Sequence, residues 1–268
     1  MGKAIAITNQ KGGVGKTTTA INLSACLAEN GMKVLVLDID PQGNCSSGLG
    51  VDKDSVENSI YQLLIGECGI REAILHTEVE GLDIIPSDVN LAGAEIELLD
   101  VEDKEYLLCK KVAEVKEEYD YILIDCPPSL NTLTLNAMTT ADSIIVPIQC
   151  EYYALEGLSQ LIRTIELVRN RLNENLSIDG VVFTMFDGRT NLSLQVVENV
   201  RANLSQNIYA SVIPRNVRLA EAPSHGLPIT LYDSRSVGAE AYREFALEVM
   251  QNDKKKPVGK KKRGLFRR

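Results

Sequence analysis

The sequence predicts an α/β fold in which a mostly parallel, twisted sheet carries helices on both faces. Short runs of continuous apolar residues, such as KVLVLD at residues 33–38 and YILID at residues 121–125, alternate with longer segments of helical spacing. Uninterrupted apolar runs are typical of strands covered on both faces, and their alternation with helices is typical of parallel sheets. At 268 residues, with 44% apolar residues, the chain is long enough to bury this sheet in one domain.

Strands and helices alternate along the whole chain. The apolar runs predict strands at residues 4–7, 33–38, 82–85, 121–125, 143–148, 180–186 and 208–213. Helical spacing predicts helices at residues 18–29, 59–65, 70–76, 91–98, 104–118, 154–172, 191–204 and 236–250. We therefore expect a single domain over residues 1–253.

The connection between the first strand and the first helix is rich in glycine, because residues 11–18 read KGGVGKTT. A loop that binds phosphate turns backbone N–H groups inward, and we expect the φ values this requires at Gly12, Gly13 and Gly15. Lys16 would place its charge on the β and γ phosphates, and the Thr17 hydroxyl would bind Mg²⁺. The helix that follows would direct its N-terminal dipole at the same phosphates. The predicted nucleotide-binding residues of this segment are Lys11, Gly12, Gly13, Val14, Gly15, Lys16, Thr17 and Thr18.

This loop departs from the common GxxxxGK[ST] pattern. Gln10 stands where the first glycine would be, and a second lysine, Lys11, follows it. The variant resembles the deviant Walker A loop of the ParA/MinD family. The resemblance implies a P-loop NTPase fold that binds ATP, and it implies that Lys11 reaches across a dimer interface to the partner's nucleotide phosphates. Lys11 and Lys16 are therefore expected to serve catalysis.

Two acids, Asp38 and Asp40, follow the predicted strand 33–38 in the string DIDPQGN. Open α/β sheets bind ligands at the carboxyl ends of their strands, so these acids should face the glycine-rich loop. The string resembles switch I of ParA/Soj-type partition ATPases. The resemblance implies that Asp40 orients or activates the attacking water and that Asp38 supports Mg²⁺ or the loop.

A third acid, Asp125, ends the apolar run YILID. This is the pattern of a Walker B strand, whose terminal carboxylate holds Mg²⁺ opposite the hydroxyl of Thr17. The string DCPPS at residues 125–129 resembles switch II of the same family, which senses the γ phosphate.

The family resemblance continues in the second half of the chain. It implies that Glu151, in QCEYYALEG, contacts the partner's ribose or aids dimer contacts, although an acid that only favours a helix N-terminus fits equally well. It also implies that Pro214 and Asn216 line the adenine pocket. Many relatives carry an asparagine where Thr184 and Met185 stand, so the group that recognises the base stays open.

Three arginines are candidate DNA contacts by the same resemblance: Arg189, Arg215 and Arg218. They would form a basic patch at the edge of the dimer that holds DNA phosphates. No base-reading motif accompanies them, so we expect binding that is non-specific and sensitive to salt.

Charge is distributed unevenly along the chain. Residues 254–268 contain nine of the 28 Lys and Arg residues and no acid, so the first 253 residues carry the other 19 against all 37 acids, a net charge of −18. An acidic body does not bind nucleic acid through its overall charge, and any DNA contact must be local. We predict that the basic tail, residues 254–268, is disordered in isolation. It could serve solubility, DNA contact, or a membrane contact through Leu265 and Phe266.

Together these motifs identify the chain as a ParA/Soj-type partitioning ATPase of a chromosome or plasmid. The resemblance implies a homodimer that forms with ATP and Mg²⁺, binds DNA non-specifically and dissolves after slow hydrolysis. A ParB-type centromere-binding protein would stimulate that hydrolysis. No signal peptide precedes the first strand and no apolar run reaches about 18 residues, so we expect a cytoplasmic, nucleoid-associated protein.

Three alternatives use the same loop. A MinD-like membrane-cycling protein is favoured only by the GLF string in the basic tail. A relative of the nitrogenase iron protein or of iron–sulfur scaffold ATPases would need paired cysteines, whereas the six cysteines of this chain show no CxxC spacing and are expected to be reduced structural thiols. A structural dimer without turnover would require that Asp40 is not placed to act on water.

Overall fold

The computed structural model describes residues 2–151 and 154–255. Within them the chain forms one eight-stranded sheet of order β3-β4-β2-β5-β1-β6-β7-β8, in which only the β3–β4 pair is antiparallel. The strands are β1 (Lys3–Ile7), β2 (Val34–Asp38), β3 (Leu75–His76), β4 (Leu82–Ile85), β5 (Tyr121–Asp125), β6 (Ser143–Gln149), β7 (Ser177–Phe186) and β8 (Ile208–Pro214). The predicted mostly parallel α/β fold is confirmed.

Helices cover both faces of this sheet. They are α1 (Lys16–Glu29), α2 (Asn44–Gly48), α3 (Ile60–Ile65), α4 (Ile70–Ala73), α5 (Leu91–Glu97), α6 (Leu107–Val112), α7 (Thr132–Thr140), α8 (Ala154–Arg171), α9 (Asn191–Asn203), α10 (Val217–Glu221), α11 (Ile229–Tyr232) and α12 (Val237–Lys255). Short 3₁₀ turns occur at Lys53–Ser55, Lys104–Tyr106, Lys116–Glu118 and Ala222–His225.

The core has two layers, one on each face. Along β1, Ala4 and Ala6 face one cluster of buried side chains, and Ile5 and Ile7 face the other. Helices α3 to α9 contribute to the first cluster, while α1, α2 and α10 to α12 contribute to the second. The first and last long helices of the chain therefore cover the same face.

The register of the central strands sets the position of the site. Ile7 of β1 and Asp38 of β2 both lie beside Asp125 of β5. Since these strands are parallel, the segments that follow all three residues emerge at one edge of the sheet. The glycine-rich loop and the DIDPQGN and DCPPS strings are brought together there, as the sequence predicted.

Two predicted helices are wrong in extent. Helix 70–76 ends at Ala73, and Leu75 and His76 instead pair with β4 as a short antiparallel edge strand. In place of the predicted helix 104–118 the chain forms α6 with one 3₁₀ turn before it and one after it. The apolar positions of this segment are buried as predicted, but the side chain of Asn136 accepts a hydrogen bond from the Leu108 N–H at 3.0 Å, which replaces an intrahelical bond.

The carboxyl-terminal helix is longer than predicted. Helix α12 continues to Lys255, so the first two residues of the predicted basic tail are helical. Residues 256–268 lie outside the described part of the chain. Within the described part, every helix is too short or too polar to cross a membrane.

Candidate functional site

The glycine-rich loop turns sharply before α1. Gly13 and Gly15 have φ values of +72° and +87°, a region that strains other residues. Gly12 does not share this conformation, so the prediction of a positive φ there is wrong. Gly15 is the N-cap of α1, no side chain caps the helix, and its first turn has no acid. The first N–H groups of α1 are therefore left for an anion.

A buried cation stands beside these N–H groups. Lys16 is only 7% exposed, and its Nζ donates to the main-chain oxygen of Lys11 at 3.2 Å. Burial lowers the pKa of Lys16, and the charges of Asp125 and Asp40 oppose this effect. No ion pair within the described residues neutralises Lys16 directly, so a bound phosphate would supply the missing partner.

Asp125 is the complementary group, a carboxylate that is completely buried. Neither of its oxygens has a hydrogen-bond partner. Burial, and then the charge of Asp38, raise its pKa well above the usual range; the nearby Thr17 hydroxyl opposes this rise without meeting Asp125 at hydrogen-bonding geometry. Buried polar groups are rarely left unpaired, and Mg²⁺ in nucleotide sites commonly takes one or two carboxylates plus phosphate oxygens. Asp125 and Thr17 therefore fit a magnesium ion.

Asp38, predicted to support Mg²⁺ or the loop, has its oxygens occupied. One accepts from the N–H and the hydroxyl of Ser46 at 2.8 and 2.7 Å, and the other accepts from the Asp40 N–H at 3.2 Å. Burial raises the pKa of Asp38 to about 6, although these bonds oppose the rise. The Ser46 hydroxyl also accepts from the Ser87 N–H at 2.9 Å. This geometry favours the loop-supporting role.

Asp40 lies further out, where it is partly exposed. One of its carboxylate oxygens accepts from the Gln42 N–H at 3.0 Å. Its charge acts on both Lys16 and Asp125. Asp40 thus combines access to solvent with closeness to the phosphate loop, which a residue that orients water requires.

The second lysine of the loop is held within its own chain. The Nζ of Lys11 lies 2.6 Å from a carboxylate oxygen of Glu151, which follows β6 at the same edge. The two side chains are 38% and 46% exposed. The Asn9 side chain fixes the loop by accepting from the Lys11 N–H at 3.0 Å. The family resemblance implies that Lys11 reaches a partner's nucleotide and that Glu151 contacts the partner's ribose or aids dimer contacts, and the pattern of the sequence did not predict their mutual contact.

A cavity of about 280 Å³ adjoins the start of α1. Pro214 and Asn216, which the resemblance assigns to an adenine pocket, line this cavity, and so does Arg215, which it assigns to DNA. Met185 lines it in a left-handed conformation, with φ +50°, which is costly for a residue with a side chain. The remaining lining residues are Gly15, Thr18, Thr184, Ile213, Val217, Leu219, Ala220 and Tyr242.

Arg189 and Arg218 lie at the carboxyl ends of β7 and β8 and are exposed, but both are paired. Arg189 donates to the two oxygens of Asp187 at 2.8 and 2.7 Å, which lowers the pKa of that carboxyl to about 2. Arg218 lies 2.9 Å from Glu221 and 3.4 Å from Asp233. The predicted basic patch is therefore partly neutralised by its own acids.

Sequence reasoning missed several groups that shape the site. The Thr184 hydroxyl donates to the Val14 main-chain oxygen at 2.8 Å, so β7 anchors the glycine-rich loop. Tyr242 and Leu219 close the cavity from α12 and α10. These contacts join residues that are far apart in the sequence, so no local sequence pattern predicts them. The run NCSSG did contain a signal, since a serine soon after an acidic turn is suited to bond the turn's carboxylate.

Comparisons with known proteins show the family to which the chain belongs. Residues 2–178 match the model of a family described as AAA domain. The chain is 58% identical over 252 residues to sporulation initiation inhibitor protein Soj of Bacillus subtilis, covering 94% of this chain and 100% of that one. It is 52% identical over 254 residues to chromosome partitioning protein ParA of Caulobacter vibrioides, covering 94% and 95%. The solved structure of cobyrinic acid a,c-diamide synthase from Mycobacterium smegmatis, with bound ADP and magnesium, superposes with a TM-score of 0.84 at 38% identity, covering 95% and 96%.

Proposed function

This chain belongs to the Soj and ParA family of chromosome partitioning ATPases, and from that premise we propose that it couples ATP hydrolysis to reversible, non-specific binding of DNA. One observation carries the nucleotide part of the proposal. A buried cation, Lys16, and a buried carboxylate without a partner, Asp125, adjoin the uncapped start of a helix. Such an arrangement is costly when empty, and a nucleotide phosphate with Mg²⁺ would satisfy both groups.

Each group of the site has a role in this proposal. Lys16 and the N–H groups at the start of α1 bind the phosphates. Asp125 and Thr17 hold Mg²⁺, which supplies positive charge against the phosphate oxygens during hydrolysis. The cavity beside Pro214 and Asn216 receives the base, and Asp40 orients the water.

Dimerisation would follow from a change of partner by Lys11. In the structure Lys11 is paired with Glu151 of the same chain. A γ phosphate bound to a second copy carries more negative charge than one carboxylate and would compete for Lys11. ATP would therefore have a higher affinity for the dimer than ADP, which is the differential affinity that a switch requires.

DNA binding would depend on the dimer because the arginines of a single patch, Arg189 and Arg218, are each paired with acids of the same chain. The dimer would bring together the arginines at 189 and 218 of two chains, and DNA phosphates would displace their acidic neighbours. A ParB-type partner would accelerate an otherwise slow hydrolysis, since a basic group supplied in trans is worth on the order of 10³ to 10⁵ in rate in phosphoryl transfer. Hydrolysis would then release the DNA and leave the protein to exchange within the cytoplasm.

The test measures binding to a random DNA duplex with ATP·Mg²⁺ and with ADP, over a salt series. We expect much tighter binding with ATP·Mg²⁺ than with ADP, a steep loss of affinity with salt, and no ATP-dependent gain in the Lys11→Ala variant. Lys110→Ala, a change at an exposed lysine of α6, serves as the matched control. Equal affinity with ATP and ADP, or an unchanged Lys11→Ala variant, would overturn the proposal.

A further inference from the structure

The edge of the sheet opposite the phosphate loop carries two adjoining hollows. Their volumes are about 530 and 350 Å³, and they share Lys33 and Gly81. Glutamates dominate the polar lining of the larger hollow, whereas in the smaller one Asp83 is paired with His76, and Glu118 with Arg71. We name the two hollows together the acidic cleft; its acids are Glu29, Glu78, Glu80, Asp83 and Glu118.

Two of these carboxylates are free to receive cations. Glu29 is paired with Arg243 at 2.7 Å. By contrast, across residues 2–151 and 154–255, neither an ion pair nor a hydrogen bond reaches the side chains of Glu78 and Glu80, which are both exposed. Leu231, half exposed on the opposite wall, adds apolar surface. The cleft thus suits a segment that combines positive charge with apolar side chains.

Helix α12 ends near Tyr121 of β5, the strand next to β2, and β2 begins beside this cleft. Asp253, in its last turn, accepts a hydrogen bond from the Tyr121 hydroxyl at 2.9 Å and also pairs with Lys3. The N–H of Tyr121 donates to the main-chain oxygen of Lys33 at 3.2 Å, and Lys33 lines both hollows. Glu78 and Glu80 precede β4, which lies two strands from β5 in the sheet, and the thirteen residues beyond Lys255, at about 3.3 Å per residue, are long enough to reach them.

That continuing segment has the composition that the cleft suits. Residues 256–268, KPVGKKKRGLFRR, contain seven Lys and Arg residues and no acid, together with Leu265 and Phe266. We propose that the acidic cleft binds this basic segment of its own chain, in competition with DNA and other polyanions. This goes beyond the proposed ATPase cycle, because it concerns the opposite edge of the sheet and requires no nucleotide.

Tethering makes such binding feasible although each ion pair is weak. Exposed pairs contribute up to about 1 kcal/mol each, and salt screens them. A segment joined through a short flexible connection, however, has an effective concentration in the millimolar range. An intrinsic dissociation constant of about 1 mM is therefore enough to fill the cleft for much of the time.

Docking would lower the affinity of the chain for DNA in the absence of ATP. The seven positive charges would otherwise attract DNA whatever nucleotide is bound. When they lie against Glu78 and Glu80, that attraction is reduced, and DNA binding depends more fully on the ATP-dependent dimer.

A single tryptophan reports on the segment, since the chain contains none. In the full chain carrying Phe266→Trp, we expect an emission maximum shifted to the blue of that of a peptide of residues 254–268 with the same substitution. About 1 M salt should abolish the shift, because the Debye length falls to about 3 Å. Glu78→Gln with Glu80→Gln should abolish it as well. The matched control removes the same charge from exposed acids elsewhere, through Glu166→Gln with Glu198→Gln, and should keep the shift.

Three results would overturn the proposal. Emission equal to that of the peptide at low salt would mean that the segment stays in solvent. A shift that persists in the Glu78→Gln, Glu80→Gln chain would place it on another surface, and a shift that grows with protein concentration would place it on another copy.

The competition with DNA has its own measurement. Without nucleotide, the cleft variant should bind a random duplex about two- to fivefold more tightly than the Glu166→Gln, Glu198→Gln control, because the released segment adds phosphate contacts. Equal affinity of the two variants would show that the cleft does not withhold the segment. A failure here leaves ATP-dependent DNA binding untouched, so the two proposals can fail separately.

Discussion

The phosphate end of the site and the arginine patch differ in the burial of their charged groups and in whether those groups are paired. Around Lys16 and Asp125, charged groups are buried and left without partners. Around Arg189 and Arg218, charged groups are exposed and already paired with acids of the same chain. A ligand of the first region would pair with groups that now have no partner, whereas a ligand of the second region would have to displace the acids already paired with the arginines.

This difference predicts different sensitivities. A ligand that satisfies buried groups gains much from each contact, because the unpaired state is costly. A ligand that replaces an exposed ion pair gains little from each contact and depends on the number of contacts and on salt. Nucleotide binding should therefore depend on single residues, and DNA binding should depend on many.

The largest effect is expected from Lys16→Ala. Removal of the buried ammonium should lower ATP affinity by a factor on the order of 10² to 10³, since charged hydrogen bonds contribute about 1.5–3 kcal/mol each. Titration calorimetry with ATP·Mg²⁺ measures this, with Lys110→Ala as the exposed control. Normal ATP affinity in the Lys16→Ala chain would mean that Lys16 does not bind the phosphates. The two regions would then not differ in their dependence on single residues.

The next effect concerns stability and pH. In the folded chain the carboxyls of Asp125 and Asp38 keep protons at pH values where the unfolded chain has lost them, so the unfolding free energy should fall as pH rises above about 4. The fall due to Asp38 extends to about pH 6, the raised pKa of that group. Asp125→Asn should raise the unfolding free energy at pH 7 by about 1–3 kcal/mol and leave it nearly unchanged at pH 4.

Denaturant unfolding at several pH values, without nucleotide, measures this effect. The exposed change Asp100→Asn is the control and should alter neither value. A destabilised Asp125→Asn chain at pH 7 would mean that the carboxylate is satisfied in the free protein. In the Asp125→Asn variant, ATP binding should also no longer depend on Mg²⁺. This second measurement tests the role of Asp125 in metal binding independently of its effect on stability.

A smaller effect is expected in the arginine patch. Arg189→Ala should weaken binding to all DNA sequences alike, by about three- to tenfold, and reduce the salt slope by about one. Asp187→Asn should strengthen binding by about two- to fivefold, because Arg189 no longer needs to leave a carboxylate. Fluorescence anisotropy with ATP·Mg²⁺ measures both. Weaker binding in Asp187→Asn would show that the pair holds Arg189 in its working position.

The smallest effect is expected at the Lys11–Glu151 pair, which shares features of both regions. If Glu151 competes with the partner's phosphate for Lys11, Glu151→Gln should lower the ATP concentration for half-dimerisation by about two- to fivefold. If Glu151 instead contacts the partner's ribose, as the family resemblance implies, the same change should raise it. Light scattering measured against ATP concentration shows whether the half-dimerisation concentration falls or rises, with Glu166→Gln as the control.

The sequence predicted the central fold because its signals are local. Apolar runs marked all seven strands that are parallel to a neighbour, and the ends of β1, β2 and β5 placed Lys16, Asp38 and Asp125 together. The misses depend on contacts with other elements. Leu75 and His76 read as helix but pair with β4 at the sheet edge. Helix α7, rich in threonine, was not predicted, although the Asn131 side chain that accepts from the Thr134 N–H is an ordinary N-cap signal.

The site was predictable where one motif carries one function, and less so where two segments meet. The phosphate loop, Asp40 and Asp125 were named from their own strings. The pairing of Arg189 with Asp187 was within reach, since the two lie two residues apart in a turn, whereas the closing of the cavity by Tyr242 depends on the packing of α12 against α1. Charge partners and cavity walls follow from tertiary structure, and a single sequence does not display it.

The hydrogen bond between the Thr184 hydroxyl and the Val14 main-chain oxygen connects the cavity proposed for the base to the loop proposed for the phosphates. Thr184 belongs to the strand that supports the base cavity, and Val14 lies inside the loop that cradles the phosphates. Loss of the γ phosphate would then leave the base end as a fixed pivot. If the cavity receives the base as proposed, we expect the displacement that follows hydrolysis at the turns after Asp38 and Asp125, and little change at the cavity.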